Sequence, residues 1–380
     1  MAVLSRISAL VVALSLSSCA TAEGSGRQAV QPSDGVVEQT TDKCAAPIAY
    51  SESNHGVGLL VIRRGATICE KYAAGIDRNT PHALFSGTKG LNGLMAAAAA
   101  ADGMLSLDEK LSDTLTEWKG DPLKGRMTIR HLLSLSSGLA TTGPRAAPGF
   151  AEAAAVPGQF PPGDRFAYGP LVFQTFGEVM RRKLKARGLA EDPTDYLARR
   201  VLQPIGARVA KWGGPTVGPD PNLAAGAQMS AADWAKVGNL MLRPGEARRI
   251  NLDMNVYEAQ ATPQGAYAGY GLSWWLSTPL PAAVREGLDP VARSIDLPQG
   301  ALAREVPADL VVAAGAGGQR LYVSRSLQLV VVRFADDPAL AARFQAAQSN
   351  APQAAVAAVR SAAFSDTQFI KSVMVALQRQ

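Results

Sequence analysis

Residues 85–90 read FSGTKG and run straight into LNGLMAAAAAA at 91–101. No proline or charge interrupts the stretch after Gly90, and it reads as a helix. On a helix, positions three apart share a face, which puts Ser86 and Lys89 side by side at its mouth. A lysine held there, desolvated and near the positive end of the helix dipole, loses affinity for its proton and can take one from the serine hydroxyl. The backbone N–H of Ser86 falls in the first turn, where a helix leaves donors unpaired, so it can bind an oxyanion. The small side chains Ala96–Ala101 let neighbouring elements pack close and fix that turn. Taken alone, the same residues also read as a helix cap beside a surface charge.

The chain of 380 residues is 47% hydrophobic, enough to bury a large core, and its formal charge of +6 is spread over 38 basic and 32 acidic residues. The one dense basic run, RRKLKAR at 181–187, has helical spacing and reads as a solvated helix face, so no nucleic-acid partner is expected. The opening MAVLSRISALVVALSLSSCA has one early charge, an apolar run and small residues, the pattern of a secretory signal. Leu16-Ser17-Ser18-Cys19 resembles the bacterial lipobox, which implies cleavage before Cys19 and a lipid on its sulfur. The polar stretch that follows reads as a flexible tether. Cys44 and Cys69 remain for the body, either as a disulfide suited to an oxidising compartment or as two buried thiols.

Downstream, GVGLLVIRR (56–64) and TICEKYAAG (67–75) read as two strands joined by a tight turn at Gly65-Ala66. From Leu91 to about 280 helical patterns dominate, among them LSDTLTEW, TIRHLLSL, LVFQTFGEVMRRKLKARG and SAADWAKVGNLMLRPG. Strands return in DLVVAAG, LYVSRS and LQLVVVRFA, and DTQFIKSVMVALQR adds an amphipathic helix. First and last parts are expected to share one antiparallel sheet, giving an α/β architecture with an inserted all-α part and a cleft between them. The expected division is a signal peptide at 1–18, a lipidated tether at 19–42 and one catalytic body at 43–380, with α/β parts at about 43–90 and 281–380 and the helical part at about 91–280.

The segments MTIRHLLSLSSGL, PPGDRFAYGP, AAGAQMSAADWAKVGNLML, YGLSWWL and AAGAGGQRLYV follow FSGTKG in order. With them, the chain from about residue 50 resembles the serine β-lactamase and penicillin-binding protein superfamily, nearest its class C, esterase and 6-aminohexanoate-oligomer hydrolase branches. The resemblance implies a β-lactamase/transpeptidase-like fold and a Ser-Lys-Tyr acyl-enzyme mechanism. It makes Ser86 the nucleophile, Lys89 its partner and Tyr168 the second general base. The family's third motif aligns with Ala316-Gly317-Gly318 and puts Gln319 where the second oxyanion N–H is supplied. Gly317, Gly318, Arg320, Trp274 and Trp275 are then candidate substrate-binding residues, although alternation along a strand would send one tryptophan to the core.

Two positions depart from the β-lactamase pattern. Pro170 stands where a Tyr-x-Asn motif has its Asn, and Ala316 where Lys or His meets the substrate carboxylate. Neither offers the group it replaces. Arg320 could restore the missing cation, or be an exposed strand charge. The expected activity is therefore ester or amide hydrolysis in the bacterial envelope, on the periplasmic side, by a lipid-anchored monomer; Ala20 stands where some bacterial lipoproteins kept in the inner membrane have an aspartate, and that resemblance implies the outer membrane. The alternatives are a β-lactamase or D-Ala-D-Ala carboxypeptidase, and a non-catalytic binding protein of the same fold. A Ser-His-Asp hydrolase is disfavoured: His55, His82 and His131 are the only histidines, and no G-x-S-x-G surrounds a serine. No metal or other cofactor is expected, because no two histidines have ligand spacing.

Overall fold

In a computed structural model of the protein, residues 38–139, 147–214, 218–278, 306–338 and 364–378 are described. Their centre is a six-stranded antiparallel sheet of order β2-β1-β9-β8-β7-β6. The strands are β1 (Gly56–Arg63), β2 (Ala66–Tyr72), β6 (Trp275–Leu276), β7 (Val311–Gly315), β8 (Gln319–Ser324) and β9 (Leu329–Ala335). The β1–β2 turn falls one residue earlier than expected, at Arg64-Gly65 with Ala66 already paired to Arg63; Arg64 at φ 51° and Gly65 at φ 83° are the left-handed pair that a two-residue hairpin requires. Strand β1 lies between β2 and β9, so the first and last parts of the chain do share one sheet.

Alternation on β9 sorts the two faces of the sheet. Phe334 stacks on Trp234 of α7 (Ala231–Leu242), with ring centroids 5.7 Å apart. Val330 packs where α7 narrows to Gly238: a Cβ there would lie 2.6 Å from it. Arg333, between them in register, points to the other face, toward α1 (Glu38–Ser53) and α10 (Asp366–Gln378). The intervening helices are α2 (Gly90–Ala101), α3 (Ile129–Leu133), α4 (Phe150–Ala155), α5 (Leu171–Ala186), α6 (Pro193–Leu197), α8 (Pro244–Arg249) and α9 (Met254–Ala259). A small sheet joins β3 (His82–Ala83), β5 (Ala227–Met229) and β4 (Lys211–Trp212).

Three expectations are corrected. The sheet side reaches into the supposed helical part, since α7 lies on β8 and β9 and β6 pairs with β7. LSDTLTEW forms two single 3-10 turns, Leu111–Asp113 and Thr116–Trp118, because the Leu111 N–H is drawn to Met127 O and Ser, Asp and Thr compete for helical backbone groups. Helix α1 begins at Glu38, inside the supposed tether. Cys44 and Cys69 form a disulfide, Cα–Cα 5.6 Å, tying α1 to β2. Loop-closure entropy for a crosslink of that span is worth about 3 kcal/mol. Cys19 lies outside the described residues. Among those residues no helix is long and apolar enough to cross a membrane.

Candidate active site

The turn that carries Ser86 is a 3-10 helix, Phe85–Lys89, running into α2. Glycines recur at every third position on one side of it. A Cβ on Gly87 would lie 2.8 Å from the Trp234 ring, one on Gly90 3.0 Å from Trp274, and one on Gly93 2.9 Å from the Leu272 carbonyl. The glycines of FSGTKGLNG are therefore contact points, and Gly90 through Ala99 are buried without exception. Phe85, just before Ser86, has φ 47°, a left-handed conformation costly for a bulky residue, of a kind that clusters at functional sites.

The turn is stapled to the segment 222–227. Leu84 N–H donates to Ala227 O, and Ala227 N–H donates to the Thr88 hydroxyl. The Lys89 ammonium donates to Ser86 Oγ at 3.0 Å and to Ala224 O at 2.9 Å. Ser86 is half-buried, whereas Lys89 is 4% exposed. Burial pushes the Lys89 ammonium from its ordinary 10.5 down to about 7. When Nζ takes a proton, the new charge faces the rings of Tyr168 and Phe173, 4.9 and 5.4 Å away, and the Ala224 carbonyl.

Sequence reading missed this supporting frame. Asn92 donates to Leu223 O and Lys89 O; its signal was a polar residue in an alanine-rich helix, one turn past Lys89. Gln174, fully buried, accepts from Leu223 N–H and donates to Pro148 O. Ala224 acts through its backbone and leaves no signal in sequence.

Tyr168 lies over Lys89 and stacks on Trp275, centroids 5.7 Å apart, within a cluster that also holds Phe166, Tyr267 and Tyr270. Trp274 goes the other way. It is 0% exposed and its indole N–H donates to Gly90 O, so it is a floor under α2, which corrects its candidacy as a substrate contact. Pro170 caps α5.

The β7–β8 hairpin closes the site. A Cβ on Gly315 would lie 2.0 Å from Leu84 O, so the hairpin lies directly against the backbone leading to Ser86. Gly317 and Gly318 have φ 70° and 83°, consecutive left-handed positions that side chains rarely adopt. Ala316 is exposed at the tip. The Gln319 side chain turns away to clamp Ala335, donating to its carbonyl at 2.6 Å and accepting from its N–H at 3.0 Å. Arg320 is neither exposed nor available to a substrate. It is 6% exposed on the α10 face, forked onto Asp366 at 2.6 and 3.1 Å and bonded to Gly315 O at 2.7 Å, because strand alternation turns position 320 away from the face that α7 covers.

Residues 37–355 match the family described as Beta-lactamase. The chain belongs to the β-lactamase family. Similar solved structures include a β-lactamase from Sulfitobacter, with TM-score 0.60 and 16% identity over 90% of this chain and 98% of that one. A class C β-lactamase from Rhodobacter sphaeroides matches with TM-score 0.57 and 15% identity over 89% and 99%. A β-lactamase from Mycobacterium bovis matches with TM-score 0.53 and 18% identity over 87% and 97%. No curated protein matches the sequence. At these identities the likeness establishes the β-lactamase-family fold, an antiparallel sheet flanked by helices.

Proposed function

We propose that this β-lactamase-family chain is a serine hydrolase that cleaves neutral esters or amides through an acyl-enzyme on Ser86. The observation that carries the reading is the 3.0 Å contact between Ser86 Oγ and a buried Lys89 whose ammonium is pushed down to about 7. Neutral Lys89 accepts the serine proton as Oγ attacks the carbonyl carbon. The N–H groups of Ser86 and Gln319 hold the oxyanion. Tyr168 relays the proton to the leaving group, and then takes one from the water that releases the acyl group. A neutral substrate is favoured because Ala316 carries no charge at the hairpin tip and Arg320 is committed to Asp366.

The test uses residues 43–380 with p-nitrophenyl butyrate and a chromogenic cephalosporin. Ester cleavage with little cephalosporin turnover is expected, with one butyryl adduct mapped by mass spectrometry to the peptide holding Ser86. Rapid cephalosporin turnover would overturn the neutral-substrate reading, and no turnover of either would favour a binding protein. Because Lys89 acts in its neutral form, kcat/KM should rise with pH along an acid limb centred on the Lys89 value of about 7. A flat profile across that range would remove Lys89 as the base. We place the enzyme in the bacterial envelope on a lipid at Cys19, which Cys19→Ala should release from the membrane fraction into the soluble one.

A further inference from the structure

We propose that Arg333 is a positioning residue for the oxyanion hole: it holds and polarises the Gly318–Gln319 peptide, braced by the neighbouring Arg320–Asp366 pair. The inference rests on the reading above, in which the Gln319 N–H binds the oxyanion. A trans peptide is planar, and its C=O and N–H point in opposite directions. Arg333 Nη1 donates to Gly318 O at 2.8 Å. It thereby fixes the carbonyl of the peptide unit whose N–H is the proposed donor, and turns that N–H away from itself. A cation on the carbonyl oxygen also draws electron density through the amide and makes the N–H a stronger donor.

The guanidinium is itself held rigidly. It is 0% exposed, donates to Ser51 Oγ and Ser51 O at 3.1 Å, reaches Asn54 O at 2.5 Å, and lies 4.2 Å over the Phe364 ring. Directly across the β8–β9 ladder stands Arg320. Like charges opposite one another on a sheet are unfavourable, and two buried ones more so. Asp366 offsets this by taking Arg320 in a bidentate pair and also accepting from Tyr322. Arg320 holds the carbonyls of Gly315 and Gln319 at 2.7 and 3.0 Å. Two guanidinium groups thus grip three carbonyls of one hairpin from the side opposite α7. Gly318 fits the same logic, since a Cβ on it would lie 2.3 Å from Arg333 Nη1.

The test compares Arg333→Lys with wild type on p-nitrophenyl butyrate and on phenylboronic acid, whose tetrahedral serine adduct places an oxygen where the oxyanion forms. Lysine keeps the charge and loses the fork. A drop in kcat of about 10- to 100-fold is expected with KM nearly unchanged, and the boronate Ki should rise by the same factor, the signature of a weakened oxyanion donor. Ile370→Ala, which removes a buried side chain from α10 without touching the guanidinium groups, separates loss of stability from loss of positioning; it should melt lower yet keep both constants. If Arg333→Lys does not fold, Asp366→Asn reads the same two constants through the brace. A folded variant with wild-type kcat and boronate Ki overturns the inference. Absence of ester cleavage or boronate inhibition in the wild-type protein would instead overturn the serine hydrolase reading beneath it.

Discussion

Ser86→Ala is expected to lower kcat for a p-nitrophenyl ester by a factor on the order of 10⁵ and to abolish the initial burst of nitrophenol. The two losses must come together, because one oxygen both opens the carbonyl and carries the acyl group. Folding should be barely affected. Ser86 is half-buried, and the partner of its hydroxyl, Lys89, keeps a second acceptor in Ala224 O. Melting temperature beside the rate therefore separates chemistry from collapse. A variant that keeps its burst would show that another residue is acylated, and would sink the assignment.

Lys89→Met should lower kcat/KM by about 10³-fold or more while raising stability. The sign follows from linkage. The ammonium has its ordinary 10.5 in the unfolded chain and about 7 in the folded one, so the unfolded state binds the proton more tightly between those values. The cost of burying the group is complete below about pH 7, shrinks as pH rises toward 10.5, and is gone above it. Methionine fills similar volume and carries no such cost. The gain, on the order of a few kcal/mol and reduced by the hydrogen bond lost at Ala224 O, should be largest near pH 6 and fade toward alkaline pH. Melting curves across that range check it; a variant less stable at every pH would mean that Lys89 is held by favourable contacts that outweigh its desolvation.

Much of this was legible in the sequence because local rules and tertiary structure agree there. FSGTKG announces a serine and a lysine on one face, and the alanine run after it announces a helix closely packed by its neighbours, with Ala96–Ala99 all buried. The β1–β2 hairpin and the last three strands follow from alternation and turn chemistry. What could not be read depends on partners distant in sequence. Alternation says that positions 320 and 333 share a face with each other, but not that α10 covers that face or that Asp366, 46 residues beyond Arg320, supplies the counter-charge. Alternation would send one of Trp274 and Trp275 to the core, whereas both are buried, Trp274 against Gly90 and Trp275 against Tyr168, and parity alone does not say which one meets Tyr168. The Ala224 carbonyl, which receives the Lys89 ammonium, belongs to the backbone and has no letter of its own.

The two sides of the site are also anchored to unequal depths. Ser86 and Lys89 run directly into the buried stretch Gly90–Ala99, which can open only if the core around it opens. Tyr168 sits at the end of the irregular segment from 156 to 170, where residues 161–168 are exposed or half-buried and regular hydrogen bonds are few. Opening free energies follow such differences, so the tyrosine side should exchange its amide protons long before the serine side. With a p-nitrophenyl ester, whose nitrophenolate departs without needing the proton Tyr168 relays, mild denaturation should split the reaction cycle, leaving a serine still able to take an acyl group and no tyrosine in place to prime the water that removes it: a catalyst reduced to a single turnover.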